Sequence, residues 1–259
     1  FQETSVTPST SLRRLSCVAS ALGALALALG ASGAALAKGK SDPTVPGEVL
    51  MKLQSTSGLP ALLTKYQLTL QSSFGARPIY RVKVAAGASA KNTAAALALE
   101  PGVLLAEENV EHQAPEERKN NPWLFGTPEE YVAQWAPTAL RLPEAHAIST
   151  GVGTRVAVLD SGVDLTHPAL AGKLLPGFDF VDFDNDPSEG GTSASPGWGH
   201  GTHVAGLVAL AAPGAKIMPV RVLDPDGFGN AWVLAEALLY AVDPDGNPAT
   251  NDGAQVINM

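Results

Sequence analysis

Two histidines three residues apart stand in the stretch Gly199-His200-Gly201-Thr202-His203-Val204-Ala205-Gly206. Imidazole is the side chain most often used to move protons at neutral pH. The residues that follow, Val204-Ala205-Gly206-Leu207-Val208-Ala209-Leu210-Ala211, are small or apolar on every side, the composition of a helix buried in a core. The stretch therefore predicts a reactive imidazole at the start of a buried helix. A carboxylate able to serve it ends the apolar run Thr154-Arg155-Val156-Ala157-Val158-Leu159, at Asp160. Open α/β sheets place their sites at the C-terminal edge of the strands. A buried carboxylate that accepts from one ring nitrogen fixes the tautomer and leaves the other nitrogen to take a proton. Asp160 and His200 together read as a general-base pair that needs a nucleophile.

Several elements must position this pair. From Gly153 the pattern is α/β: strands over 154–159, 178–181, 216–223 and 255–259, and helices over 200–211 and 231–242, the second capped by Asn230. A smaller unit lies before it and runs to about Gln113. Its strands include 48–53, 80–84 and 103–107, its helices 59–66 and 90–99, and its order β-α-β-β-α-β is that of a split-βαβ sandwich. No cluster in that unit points to chemistry. The polar segment Ala114–Asn121, with Glu116, Glu117, Arg118 and Lys119, is the natural boundary and the expected cutting range.

At the start, Arg13 and Arg14 precede an apolar run over Val18–Leu29 and the Ala35-Leu36-Ala37 site, the n-region, h-region and cleavage site of a secretory signal peptide. The run is too short and too often broken for a stable membrane anchor. Phe1 is not a methionine, so Phe1–Ser11 is expected to lie upstream of the true first codon, and Cys17 is expected to leave with the signal. Composition agrees with a secreted globular protein: 45% hydrophobic and 16% charged residues suffice for a sizeable core. Residues 1–150 hold 13 Lys/Arg and 12 Asp/Glu, residues 151–259 hold 4 and 13, so all of the chain's net charge of −8 comes from the second part, which argues against nucleic acid as a partner.

At these residues the chain resembles the subtilisin-like serine proteases. Val156-Ala157-Val158-Leu159-Asp160-Ser161-Gly162-Val163-Asp164 looks like their aspartate motif, and Gly199–Gly206 like their histidine motif. Pro219-Val220-Arg221-Val222-Leu223 and Val256-Ile257-Asn258-Met259 match their later core strands. The resemblance, strongest to thermitase-like members, covers about Asn121–Met259 and implies a parallel α/β sheet with helices on both faces, incomplete here. A small α+β, ferredoxin-like propeptide domain would precede it, acting as intramolecular chaperone and inhibitor with its tail in the cleft. The implied limits are a signal peptide over 1–37, a propeptide over 38–118 and the N-terminal part of the catalytic domain over 119–259. The implied activity is endopeptidase hydrolysis of polypeptides by acyl transfer outside the membrane, extracellular or periplasmic, with Asp160 orienting His200, the base. His203 and His167 are expected in structural roles.

The resemblance also implies what to look for around the pair. Substrate would add as a strand along Gly227-Phe228-Gly229, with Leu223 near the second substrate pocket. The family's serine stands in Gly-Thr-Ser-x-Ala-x-Pro, which these residues do not contain, and is expected beyond Met259. Gly191-Thr192-Ser193-Ala194-Ser195-Pro196 is one residue too short to be that motif, and Ser193 has no strand–helix elbow to present it. Without the serine these 259 residues are expected to be inactive. No cofactor is expected for the chemistry. A structural calcium is expected on Asp179, Asp182, Asp184 and Asp186, which resemble the calcium loop of thermitase-like members. The family's tight calcium site is not expected, since Asn121, Ala169 and the short Ala212–Ala215 loop replace its ligands, and Asp243–Asn247 is rejected as an EF-hand start. Two other readings remain open: a metal-dependent hydrolase using His200 and His203, and a non-catalytic calcium-stabilised binding module.

Overall fold

The structure is a computed structural model and describes residues 43–114 and 128–259. In chain order the elements are β1 (Thr44–Leu53), α1 (Leu59–Lys65), β2 (Thr69–Ser73), β3 (Ile79–Lys83), α2 (Ala90–Leu97), β4 (Val103–Gln113), α3 (Pro128–Ala133), α4 (Trp135–Ala139) and α5 (Leu142–His146). Then follow β5 (Arg155–Asp160), β6 (Phe178–Asp179), α6 (His200–Ala211), β7 (Lys216–Arg221), β8 (Phe228–Asn230), α7 (Ala231–Val242) and β9 (Val256–Asn258). The expected signal peptide lies outside the described residues, as does the cutting range after Ala114.

The first sheet is antiparallel, in the order β2-β3-β1-β4-β8. Its first four strands and two helices follow the expected β-α-β-β-α-β order. Alternate residues of β1 and β3 turn inward, so Val49, Met51, Leu53, Tyr80 and Val82 meet Leu62, Ala94 and Leu97 from the helices in one core. The second sheet is parallel, in the order β6-β7-β5-β9. It is covered on both faces, as the near-continuous apolar run of β5 requires. On one side Ala157, Leu159, Met218 and Val220 pack against Val233, Ala237 and Ala241 of α7. On the other Val158 and Ile217 pack against Ala205 and Ala209 of α6.

This alternation sets up the site. Asp160 shares the parity of Val156 and Val158, so its side chain faces the α6 side of the sheet. Gly201 lets α6 come this close, because a Cβ there would strike the Gly162 carbonyl and the Asp160 side chain. The N-terminus of α6 is thereby held against the end of β5.

β4 ties the antiparallel sheet to a strand from the second part of the chain. Its last residues run on beyond the expected end at Glu107 and pair antiparallel with β8, Glu111 with Asn230, His112 with Gly229 and Gln113 with Phe228. Behind this seam Asn109, fully buried, donates to Glu48 Oε2 at 2.8 Å and to Asn230 Oδ1 at 3.3 Å, and its own oxygen accepts Trp232 N–H at 3.2 Å. The buried Trp232 ring lies 4.4 Å from the ring of Phe74, with the Arg81 guanidinium over it at 5.5 Å. The first helical turn of α7 is thus closed over by the antiparallel sheet.

Candidate active site

His200 is the first residue of α6 and Asp160 the last of β5. Their side chains meet at 2.5 Å, His200 Nδ1 to Asp160 Oδ1, with both residues buried, 9% and 4% exposed. A bond this short between buried groups is charge-assisted. The same Oδ1 accepts the Ser161 N–H at 2.7 Å, which fixes the carboxylate's rotation. Ser161 Oγ donates to the Gly197 carbonyl at 2.9 Å and accepts the Gly201 N–H at 3.2 Å, tying the strand's exit to the loop before α6 and to the helix itself. With Nδ1 engaged by the carboxylate, the tautomer that leaves Nε2 as the proton acceptor is favoured.

The expected cleft residues hang from the same backbone. Val222 N–H and Leu223 N–H both donate to the Asp160 carbonyl, at 2.8 and 3.2 Å, so the turn after β7 starts beside Asp160. That turn closes at Asp224, whose N–H donates to the Phe228 carbonyl and whose Oδ1 accepts the Phe228 N–H. Gly227, Phe228 and Gly229 then present an edge, and β4 occupies it as an added strand. The pairing extends one residue further, Ala114 N–H donating to the Gly227 carbonyl at 3.2 Å, and Ala114 packs against the apolar cluster that contains Leu223. Gly229 has no room for a side chain: a Cβ would lie 2.7 Å from the Val222 carbonyl and 2.9 Å from His112 Nε2. Burial lowers the His112 pKa from its ordinary 6.5.

The acidic loop is organised around a cation that sequence reading overlooked. Arg221, 5% exposed at the end of β7, donates from Nη1 to Asp179 Oδ2 and to Asp182 Oδ2, each at 2.6 Å. Asp179 Oδ1 takes the N–H groups of Val181 and Asp182. Asp184 and Asp186 each turn to backbone N–H groups two residues on, and Asp186 also accepts Ser188 Oγ–H. Two of the four expected calcium ligands are therefore paired with one guanidinium in this arrangement. Among the described residues, the carboxylates gathered closely enough to share an ion are Asp243, Asp245 and Asp252.

The remaining histidines do not bond Asp160 in the way His200 does. His203 stands on the exposed side of α6. His167 Nδ1 accepts the Ala169 N–H and starts a single 3-10 turn, and His146 Nε2 lies 3.0 Å from the Ala211 carbonyl. Ser193 is in an exposed turn of the loop before α6. Two contributors escaped sequence reading altogether. Glu189 accepts from Gly199 and Thr202 at the start of α6, and Asn109 spans the seam. A lone carboxylate in a Gly/Ser/Pro loop and an asparagine inside a strand leave no periodic signal, whereas Arg221 interrupting an apolar strand was a visible oddity that calls for a buried partner.

Comparison with known proteins agrees with this geometry. Residues 151–259 match the subtilase family, and residues 30–109 match the fervidolysin N-terminal prodomain. Thermitase of Thermoactinomyces vulgaris is 38% identical over 136 residues, covering 49% of this chain and 43% of that protein. Subtilisin E of Bacillus subtilis (strain 168) is 31% identical over 147 residues, covering 50% and 36%. The crystal structure of fervidolysin from Fervidobacterium pennivorans superimposes with a TM-score of 0.61 over 87% of this chain and 36% of that one, at 24% identity, a likeness of fold. The chain spans less than half the length of these relatives. Other relatives are named as extracellular proteases, from Bacillus subtilis and Xanthomonas campestris, and among the described residues no helix is long and apolar enough to cross a membrane. Residues 151–259, with the parallel sheet, are thus similar to the subtilase family, and the antiparallel sheet ahead of them to a fervidolysin-like prodomain.

Proposed function

We propose that this chain is part of a secreted endopeptidase precursor in which Asp160 and His200 are two members of an Asp-His-Ser triad. His200 Nε2 takes the proton of a serine hydroxyl as the oxygen attacks the peptide carbonyl, then returns it to the departing amine. Asp160 stays ionised, holds the ring and stabilises the imidazolium. The serine of this reading comes from the family's Gly-Thr-Ser-x-Ala-x-Pro motif, outside these 259 residues, and not from Ser193. The observation that carries the reading is the short buried bond between His200 Nδ1 and Asp160 Oδ1, beside an edge that already binds a chain as a strand.

In the same reading residues 38–118 form the propeptide and 119–259 the first part of the catalytic domain. The tail 111–114 lies on Gly227–Gly229 as a product would, which supports an inhibitory role until the chain is cut in the 114–121 range. N-terminal sequencing of the matured product tests that range. The function is tested by sequencing the gene past Met259 and labelling its full product with a fluorophosphonate. The expected result is one labelled serine in that motif, with labelling lost in His200→Ala. A gene without the motif, or labelling indifferent to His200, contradicts it. A structural calcium belongs to the reading as well. Thermal melts in calcium and in chelator, with Asp182→Asn and Asp245→Asn compared, show which acidic loop, if either, responds.

A further inference from the structure

α6 begins on Gly199, at φ +86°, and has no side chain of its own at the N-cap. Its first N–H groups need acceptors from elsewhere. Glu189, ten residues earlier and in a different loop turn, supplies them. Its Oε2 accepts the Gly199 N–H at 3.1 Å, and its Oε1 accepts the Thr202 N–H at 3.0 Å and the Thr202 Oγ1–H at 2.6 Å. Gly199 and Thr202 flank His200, so one carboxylate grips the backbone on both sides of the imidazole. Thr202 Oγ1 in turn accepts the Asp164 N–H at 2.7 Å, in the segment that leaves β5 just past Asp160. The carboxylate thus connects the residues around His200 to the strand exit that carries Asp160.

We propose that Glu189 is a positioning residue for His200, replacing the absent N-cap side chain and fixing the ring's backbone against Asp160. An ordinary cap uses the side chain of the N-cap residue itself, and the left-handed backbone at Gly199 does not suit one. Glu189 instead holds the helix from outside, which sets its angle and height relative to β5. The anion suits the positive end of a twelve-residue helix. Burial raises the Glu189 pKa, against the bonds from Thr202 and Gly199 that lower it, and Asp164 adds to the rise. For a carboxyl whose folded pKa is raised, the fold loses stability as pH climbs through its titration, so the ionised form is held at a cost to stability.

The inference rests on the reading of His200 as the base held by Asp160. It is tested on the full 259-residue chain with ¹⁵N-labelled imidazoles, following solvent exchange of the His200 Nδ1 proton and the Nδ1/Nε2 tautomer, with Asp160→Asn assigning the signal. The expected result is exchange several-fold faster in Glu189→Gln and about tenfold or more in Glu189→Leu, with mixed tautomers, since a mispositioned ring loses a charged hydrogen bond. Both variants keeping wild-type exchange and tautomer, with only a lower Tm, overturn the proposal. If Glu189→Leu fails to fold, Glu189→Gln, which keeps size and one acceptor, decides alone. A wild-type chain without an Asp160-bonded Nδ1 proton would instead overturn the underlying pair, a separate and recognisable outcome.

Discussion

In the antiparallel sheet, Val49, Met51, Tyr80, Val82 and Leu97 close one core and leave its outer edge to pair with β8. In the parallel sheet, two apolar clusters cover the two faces, and the strand ends bring Asp160, Asp179 and Arg221 out of water together. One spends its buried interior on apolar contact, and the other admits polar and charged side chains at its C-terminal edge. Buried charges survive only when paired and hydrogen-bonded. Each of these is: Asp160 by His200 and the Ser161 N–H, Asp179 by Arg221 and two backbone N–H groups. In the proposed reading the first sheet assists folding and covers the cleft, and the second is where proton chemistry is held.

Substitutions on either side of this division should behave differently. Asp160→Asn, in the gene's full product, should lower peptide hydrolysis roughly 10⁴-fold while the fold persists, because the amide favours the wrong imidazole tautomer. A loss below about tenfold would erase the contrast between the sheets. Leu97→Ala, in the antiparallel core, should cost about 3 kcal/mol in chemical denaturation of that sheet. It should leave the Asp160–His200 bond untouched, and a changed His200 spectrum would mean the two sheets are more tightly coupled than their cores indicate. Gly229→Val places a branched side chain against the Val222 carbonyl, His112 and Leu223, and should weaken the β4–β8 pairing by about 1–3 kcal/mol. Faster amide exchange confined to Glu111–Ala114 is the readout, and unchanged exchange there contradicts the strand-addition account.

The smallest expected effect is on pH. Burial lowers the His112 pKa below 6.5, so the neutral ring is the form the seam accepts. Stability from that preference is present above the unfolded pKa and lost as pH falls through it toward the lower folded value. Acidification from pH 7.5 to 5.5 should therefore speed amide exchange of Glu111–Ala114, and His112→Gln should flatten the dependence.

Much of this division was legible in the residue order. Asp160 ends an apolar strand and His200 opens an apolar helix, and those two patterns place both at one sheet edge. Asn230 announced α7 over 231–242, and its side chain does accept the Val233 N–H. The antiparallel unit showed through its two-residue alternation. The continuation of β4 to Gln113 was not legible, because Glu111, His112 and Gln113 have no apolar alternation and owe their strand geometry to a partner far along the chain. Arg221 and Glu189 were missed for a related reason. Each is single, and each draws its meaning from groups that come near only when strands and loops have closed. The acidic run at 179–186 read as a calcium site from its carboxylate spacing and its family resemblance, and the structure sets the Arg221 guanidinium on two of those carboxylates.

The central claim is that Asp160 holds His200 through Nδ1. Its most direct test is the proton spectrum of the labelled chain at low temperature, wild type beside Asp160→Asn. The account predicts a low-field Nδ1 proton on His200 that is present in the wild type and absent in the variant, with the other four histidines unchanged. A His200 spectrum identical in the two proteins would contradict it.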